Sequence, residues 1–350
     1  NPELYFQTKL YTGDGGSSKA ISLDGDENMQ PDWVWIKSRS TADYDHMVTD
    51  SVRGTQKTLK TNTAGAEDSN PGAGGIGSFD SDGFTIAEGG INNTNMNNSG
   101  TTYVAWCWKA GTSWSNDASA TSVGSLDSSG SKNATAGFSI ISFTGTESGT
   151  PSIAHSLSST PEFILSKSRD VSDNWMVHHG SFSAQDYISL NLTGAKASAS
   201  SVWNSLPSST VINMGDNAGV NDDGAMIMYA WNSVQGFSKF GSYTGNGESS
   251  DGPFIYTGFR PAFVLQKNAG ATQGWQLQDN KRNGFNGANK LLQPHDSAGE
   301  SDVNRIDILS NGFKVITNDA GQNSSGVNYI YAAFAEAPFV NSNGVPGNAR

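Results

Sequence analysis

The sequence predicts an all-β protein built from three tandem β-sandwich repeats of jelly-roll or lectin-like type. One motif occurs three times. It begins with an aromatic residue followed by Thr and Gly, and after a polar stretch it continues as Pro-x-aromatic-aliphatic-x-x-Lys. The three copies end at Lys37, Lys167 and Lys267. The apolar runs are short, rich in β-branched and aromatic residues, and bounded by Gly, Asn, Asp, Ser and Pro, as in strands joined by turns. No segment has the sustained periodicity of a capped amphipathic helix. Repeats of about 100 residues made of such strands suit a β-sandwich.

Each copy continues after its lysine with the same succession of short elements. A second apolar run is followed by a polar turn that begins at Asp50, His179 or Asp279. Later come an alternating apolar run and a closing aromatic strand, which reads YVAW, MYAW or IYAAF in the three copies. Matching order and spacing at several landmarks indicate a true internal repeat.

The landmarks divide the chain into four segments. Module 1 spans residues 1–110, module 2 residues 137–234, and module 3 with a polar C-terminal tail residues 235–350. Residues 111–136 are mostly Ser, Ala, Gly and Asn, a composition typical of an extended linker. Since modules 2 and 3 are joined almost directly, we expect them to pack rigidly. We expect module 1 to be the anchor, with modules 2 and 3 projecting on the linker.

Composition limits the classes of function. The net charge is −12, which disfavours nucleic-acid binding because no basic stripe is present to displace phosphate counterions. No apolar run is long enough for a transmembrane helix, so membrane insertion is not expected. The 16 Phe, 10 Tyr and 9 Trp provide the apolar area that a folded chain needs. The single cysteine, Cys107, lies in an apolar run and is expected to be buried.

The sequence contains no convincing catalytic constellation, and we expect no enzyme activity. His178 and His179 form the only histidine pair. A metal-binding or general-base role is one interpretation. Because His179 aligns with Asp50 and Asp279 in the repeat, a hydrogen-bonding role in a turn is favoured.

Three acidic clusters, at residues 24–27, 80–83 and 221–224, have the oxygen density that Ca²⁺ requires, although none has the spacing of a known calcium loop. Their candidate ligands are Asp80, Asp82, Asp222 and Asp223. Residues 80–83 align with a stretch that is typical of a hairpin turn, so turn chemistry is the favoured interpretation.

Two tryptophans lie in polar segments outside the repeat landmarks. Trp114 and Trp203 are therefore candidates for stacking against a sugar, because exposed aromatic rings beside polar hydrogen bonds suit glycan recognition. Loops at 198–209 and 280–296 are the expected contact regions, and Trp203 is expected to be dispensable for folding.

The chain resembles a family of tailed-phage virion proteins usually described as tail-fibre-like or structural. The resemblance is carried by stretches such as PDWVWIKSRS, SFDSDGFTI, TYVAWCWKAG, DGPFIYTGFRPAFVLQKN and YIYAAFAEAPF, and it covers nearly the whole chain, including the closing NSNGVPGNAR. It implies a location on the exterior of a virion, on a tail fibre or on the capsid, and it supplies no catalytic residues.

Two functions follow from this resemblance. The first is a tail-fibre or adhesin component that contacts the host surface, with a glycan as a candidate receptor. The alternative is a capsid-bound decoration or fibre protein with an architectural role. Expected partners are other virion proteins and further copies of the chain, most simply a homotrimer, because closed symmetric association would cover exposed strand edges.

Overall fold

Short β-branched and aromatic runs separated by Gly and Asn fold as antiparallel strands in the computed structural model. The structure describes residues 1–69, 74–87, 95–283, 286 and 288–337. The predicted all-β class is confirmed, and the helical turns at Pro2–Leu4, Ala118–Thr121 and Ala218–Asn221 are each a single turn long. The predicted C-terminal tail and part of the 280–296 loop lie outside the described residues.

The strands fall into three groups, which we call the first, second and third units. The first unit contains β1 (Phe6–Thr12), β2 (Lys19–Ser22), β3 (Trp33–Ser38), β4 (Met47–Asp50), β5 (Leu59–Lys60), β6 (Gly75–Asp80), β7 (Gly83–Ala87) and β8 (Thr102–Trp108). The second unit contains β9 (Thr112–Asn116), β10 (Ser128–Asn133), β11 (Phe138–Thr144), β12 (Ser152–Ala154), β13 (Phe163–Ser168), β14 (Met176–His179), β15 (Asp186–Ser189), β16 (Ala197–Ser198), β17 (Val211–Asn213) and β18 (Ala225–Trp231). The third unit contains β19 (Ser238–Thr244), β20 (Phe254–Tyr256), β21 (Phe263–Asn268), β22 (Gln276–Asp279), β23 (Ala288–Leu291), β24 (Ser301–Leu309), β25 (Gly312–Val315) and β26 (Asn328–Phe334).

The same strand order recurs in the main sheet of each unit. The closing strand lies in the middle, paired on one side with the opening strand and on the other with the strand that carries the lysine motif: β1-β8-β3, β11-β18-β13 and β19-β26-β21. The register is also the same, because Lys37 lies opposite Val104, Lys167 opposite Ile227, and Lys267 opposite Ile330. The three lysines therefore occupy equivalent positions in their sheets.

The glycine of the aromatic-Thr-Gly motif lies at a close backbone approach. A Cβ added at Gly13, Gly145 or Gly245 would lie 2.2, 2.1 or 2.3 Å from a carbonyl oxygen of the loop before the closing strand. The amide after each glycine donates to an asparagine Oδ1 in that same loop, at 3.0, 2.8 and 2.8 Å. The motif thus fastens the opening strand to the loop that begins the closing strand.

Each main sheet is covered on both faces. One face packs on its own unit's smaller sheet: β2-β7-β6 in the first unit, β12-β17 in the second and β20-β25-β24-β23 in the third. The other face contributes to one apolar cluster shared by all three units, which we call the central core. This explains why β3, β13 and β21 are buried along their whole length.

The central core differs from three independent sandwich cores. Trp108, Trp231 and Phe334 end the three closing strands at equivalent register positions. Their ring centroids lie 6.4, 6.3 and 5.4 Å apart in pairs. Aromatic pairs at such separations stabilise each other beyond their buried area. The three units therefore share one core at their common centre and are not separate sandwiches arranged in tandem.

The segment predicted to be a linker forms strands instead. β10 pairs with β11, and β9 pairs with β10, so both extend the main sheet of the second unit. The composition is polar because this sheet extension is largely exposed, with only a few buried side chains. A linker that sets the distance between an anchor and a projecting pair is thus ruled out, since the first unit also packs directly on the other two.

Two buried carboxylates join neighbouring units. Trp106 of the first unit donates from its indole nitrogen to Asp279 of the third at 3.0 Å. Tyr229 of the second unit donates to Asp50 of the first at 2.6 Å. At the remaining boundary, His179 of the second unit contacts a carbonyl oxygen of the third at 3.2 Å. Asp50, His179 and Asp279 occupy equivalent positions in their units, so the three contacts close a ring.

Ion pairs join two of these three boundaries nearer the surface. Arg39 pairs with Glu300 and Arg169 with Glu67, with both shortest distances at 2.9 Å. At the third boundary the equivalent position is Ala269, which is joined only by a backbone hydrogen bond. Partly buried Arg–carboxylate pairs with two parallel hydrogen bonds are among the stronger ion pairs in proteins.

Candidate functional site

The two tryptophans predicted to bind a glycan differ in their solvent exposure. Trp203 is only 1% exposed and packs in the second unit's own apolar core, with its ring 5.9 Å from that of His178. The prediction that Trp203 is an exposed stacking residue is therefore wrong. Polar neighbours in sequence suggested exposure, but the indole fills the space between the two sheets. Trp114 lies on β9, is partly exposed, and packs against the same cluster.

Asp80 and Asp82 hold the hairpin between β6 and β7. Asp80 accepts hydrogen bonds from the hydroxyls of Ser78 and Thr85, both at 2.7 Å. Asp82 accepts from the amide of Met29 at 3.3 Å. Asp80 thus serves the turn chemistry that the sequence favoured, whereas Asp82 ties the hairpin to the loop before β3.

Asp222 and Asp223 lie in a different unit. Asp222 is buried and accepts from the hydroxyl of Ser168 at 3.1 Å, whereas Asp223 is exposed. The four acidic residues are thus not brought into one site. Within the described part of the chain, no group of three or more His, Cys, Asp or Glu could hold a metal ion.

His179 acts in a turn, as its alignment predicts. Its Nδ1 accepts from the amide of Ser181 at 3.1 Å, which leaves Nε2–H to donate to the carbonyl of Tyr331. Asp50 and Asp279 likewise accept from the amides two and three residues further on. Burial lowers the pKa of His179 to about 4, so the ring is neutral at neutral pH.

His178 is placed differently, on the wall of an open cleft in the second unit. The cleft has a volume of about 490 Å³. Its walls combine the residues around the start of β13, the end of β14, the 206–207 loop and the end of β18, among them Pro161, Glu162, His178, Gly180, Leu206 and Asn232. We call this the β13–β14 cleft.

Glu162 holds one wall of the cleft. Its Oε2 accepts from the amide of Ser233 at 2.6 Å, and its backbone carbonyl accepts from the amide of Gly180. Oε1 accepts no hydrogen bond from the described residues, so one carboxylate oxygen is free to accept from a bound molecule.

The position in the first unit that is equivalent to the β13–β14 cleft is closed. There Asp32 occupies the position of Glu162 and accepts from the amide of Ala110 at 2.9 Å. Its second oxygen accepts from the hydroxyl of Ser51 at 2.7 Å. Gly180 occupies the position of Ser51 in the second unit, as the strand registers show, so that hydroxyl is missing and the cleft stays open.

Two buried polar atoms of residues that line the cleft have no hydrogen-bond partner among the described residues. They are Nδ1 of His178 and Oδ1 of Asn232. Both residues are more than nine-tenths buried. Burial lowers the pKa of His178 to about 4, with a further contribution from His179, so the imidazole is neutral and can donate or accept. Both atoms are closed off from solvent, so the groups that can bind a small polar molecule are Glu162 Oε1 and the exposed hydroxyls of Ser159 and Thr160 on the rim.

Sequence reasoning singled out the histidine pair but missed Glu162, Gly180 and Asn232. The available signal was the departure of the second copy from the other two, since glycine stands where they have Ser51 and Asn280. A position at which one repeat loses a side chain is a place where a cleft can open.

Comparisons with known proteins give a family without an assigned activity. Within the described residues, no helix has both the length and the apolar character to cross a membrane. No curated protein and no solved structure matches the chain. Residues 1–338 match the model of a family described as a domain of unknown function, and the chain belongs to that family, DUF7483.

Proposed function

We propose that the protein is a non-enzymatic structural protein of a phage particle, a tail-fibre or adhesin component that contacts the host surface. The observation that carries the proposal is the closed ring of three units around the central core. The resemblance of the sequence to tail-fibre-like virion proteins supplies the biological setting.

A ring of this kind suits attachment because it holds its loops in fixed positions. Protein interiors are close-packed and deform little, so a shared aromatic core keeps the three units in one relative orientation. Binding residues are commonly placed on loops that a rigid scaffold positions. The β13–β14 cleft opens among such loops, at the end of β14 and at residues 206–207.

Adsorption to host cells tests this proposal. Purified protein should bind host cells and, in excess, should compete with the particle for adsorption. A labelled antibody against the protein should mark the tail or its fibres in electron micrographs. Protein that neither binds cells nor competes with the particle would contradict the attachment role.

A capsid-bound decoration protein is the second candidate, and an exposed sheet edge favours it. β20 is the edge strand of its sheet, and it presents Phe254 and Tyr256, which are 47% and 65% exposed. An unpaired edge with two exposed aromatic rings is typical of a surface that pairs with another protein. Phe254→Ser and Tyr256→Ser should then reduce incorporation into particles, and the antibody should mark the capsid.

A further inference from the structure

We propose that the β13–β14 cleft binds one uncharged, hydroxyl-rich sugar unit. The inference rests on the proposed function only for the source of that sugar, a glycan at the host surface. The site itself is argued from the cleft and can be tested separately.

The size of the cleft fits a small ligand. Its volume of about 490 Å³ lies within the roughly 300–1,000 Å³ that small-molecule sites occupy. Pro161, Pro207 and the half-exposed Leu206 supply aliphatic surface for the C–H face of a sugar ring. A monosaccharide unit thus meets both an apolar wall and a polar one.

The polar wall favours a ligand that brings its own hydrogen-bond donors. Glu162 Oε1 is an acceptor, and the exposed hydroxyls of Ser159 and Thr160 on the rim accept or donate. A ligand hydroxyl that donates to the carboxylate oxygen replaces the water that it displaces, which an apolar ligand cannot do. A cluster of hydroxyls on one ring matches this arrangement.

The charge of the cleft excludes anions. Its lining contains one carboxylate, Glu162, and neither lysine nor arginine. The whole chain also carries a net charge of −12. An acidic sugar would therefore lose its hydration without meeting an opposite charge.

The other two units lack this combination and serve as internal controls. In the first unit the hydroxyl of Ser51 already donates a hydrogen bond to the second carboxylate oxygen of Asp32. In the third unit Ala262 takes the place of the carboxylate. We therefore expect one sugar site per chain.

Two variants test the assignment on the full chain. Gly180→Ser copies the first unit and should close the cleft; the new Cβ lies 3.2 Å from that of Glu162, so a small shift accommodates it. Glu162→Gln keeps an acceptor for the amide of Ser233 but removes the charge. Ser51→Gly makes the converse change in the first unit, where Lys109 stands in the place of Asn232, and it is the matched control. Circular dichroism establishes that each variant is folded.

The probes are the methyl glycosides of glucose, galactose and mannose, with methyl galacturonate as the anionic counterpart, measured by saturation-transfer NMR and titration. We expect saturable binding of at least one neutral glycoside at one site per chain, and weaker or no binding of the galacturonate. Gly180→Ser should weaken binding about tenfold or more, as the loss of a hydrogen bond or two implies, and Ser51→Gly should leave it unchanged.

The outcomes separate the cleft from the host-contact role. The cleft assignment is overturned if no neutral glycoside binds, or if one binds equally well to wild type, Gly180→Ser and Glu162→Gln. If cell adsorption persists in that case, the proposed function still stands. Glycoside binding that is lost in Gly180→Ser supports the cleft even if cells are not bound. Preference for the galacturonate would also overturn the inference.

Discussion

Tyr229 donates a 2.6 Å hydrogen bond to Asp50, across the boundary between the second and first units. Both side chains are fully buried, and the same carboxylate also binds Arg53 at 2.5 Å. Asp279, Arg282 and Trp106 make the equivalent arrangement between the third and first units. A buried carboxylate with its cation and a donor from the next unit therefore joins two of the three boundaries.

Tyr229→Phe removes this donor while keeping the ring in the central core. Asp50 loses one hydrogen bond inside the protein, and we expect the free energy of unfolding to fall by about 1–3 kcal/mol. Denaturant titration measures the change. Tyr256→Phe, at an exposed tyrosine, is the control and should be nearly neutral; a Tyr229→Phe variant as stable as the wild type would show that the bond adds nothing.

Trp203→Ala should destabilise the second unit, because the indole is buried in its core. Large-to-small substitutions of buried aromatic residues cost about 3–5 kcal/mol. Trp114→Ala removes a partly exposed ring on β9 and should cost clearly less. Thermal and denaturant unfolding compare the two variants, and an unaffected Trp203→Ala protein would contradict the buried placement.

The three equivalent lysines make stability depend on pH in the alkaline range. Burial lowers the pKa of Lys37, Lys167 and Lys267 to about 8 from the usual 10.5. Their ammonium groups donate to the carbonyl of the following residue. Between these two pKa values the unfolded chain binds more protons than the folded one, so this contribution to stability rises with pH.

Lys267→Met isolates one of these groups, since its pKa shift comes from burial alone. The slope of unfolding free energy against pH between about 8 and 10 should fall by up to about 1.4 kcal/mol per pH unit. Denaturant titrations at several pH values give the slope. An identical slope in wild type and variant would mean that Lys267 titrates normally.

Acid should destabilise the protein through its buried histidines. Burial lowers the pKa of His155, His178 and His179 to about 4 in the folded state. The unfolded chain takes up these protons first, so stability present above about pH 6.5 is lost as the pH falls toward 4. Burial raises the pKa of Glu336 to about 7 and also raises the pKa values of Asp32 and Glu3, which act in the opposite direction.

Denaturant titrations between pH 7 and pH 4 check this expectation. His155→Gln should make the decline shallower by up to about 1.4 kcal/mol per pH unit. A stability that stays level or increases toward pH 4 would contradict it.

A homotrimer remains a prediction for the assembly. The internal ring already closes three units within one chain, so trimerisation would have to use outer edges such as β9, β16 or β20. Analytical ultracentrifugation at micromolar concentration should show a mass three times that of the chain. A monomer without a partner present would contradict the prediction.

The candidate site was only partly accessible from sequence. The doublet at 178–179 was visible, but its two members have different roles because neighbouring residues on a strand face opposite sides of a sheet. His179 faces the third unit and His178 faces the second unit's own core and the cleft. The exposure of Trp203 was misjudged because a polar segment can still place one large side chain between two sheets.

The sequence by itself determined the all-β class and the strand register that brings Lys37, Lys167 and Lys267 to equivalent positions, because alternation, turn residues and the aromatic-Thr-Gly motif act locally. Only the tertiary structure decided that one face of each main sheet packs against the others. An apolar strand buried on both faces has the same pattern whether its second face meets its own unit or a neighbour. For the same reason the polar segment 111–136 became two strands rather than a linker: edge strands of an exposed sheet need little apolar content, and their pairing partner was set by the fold.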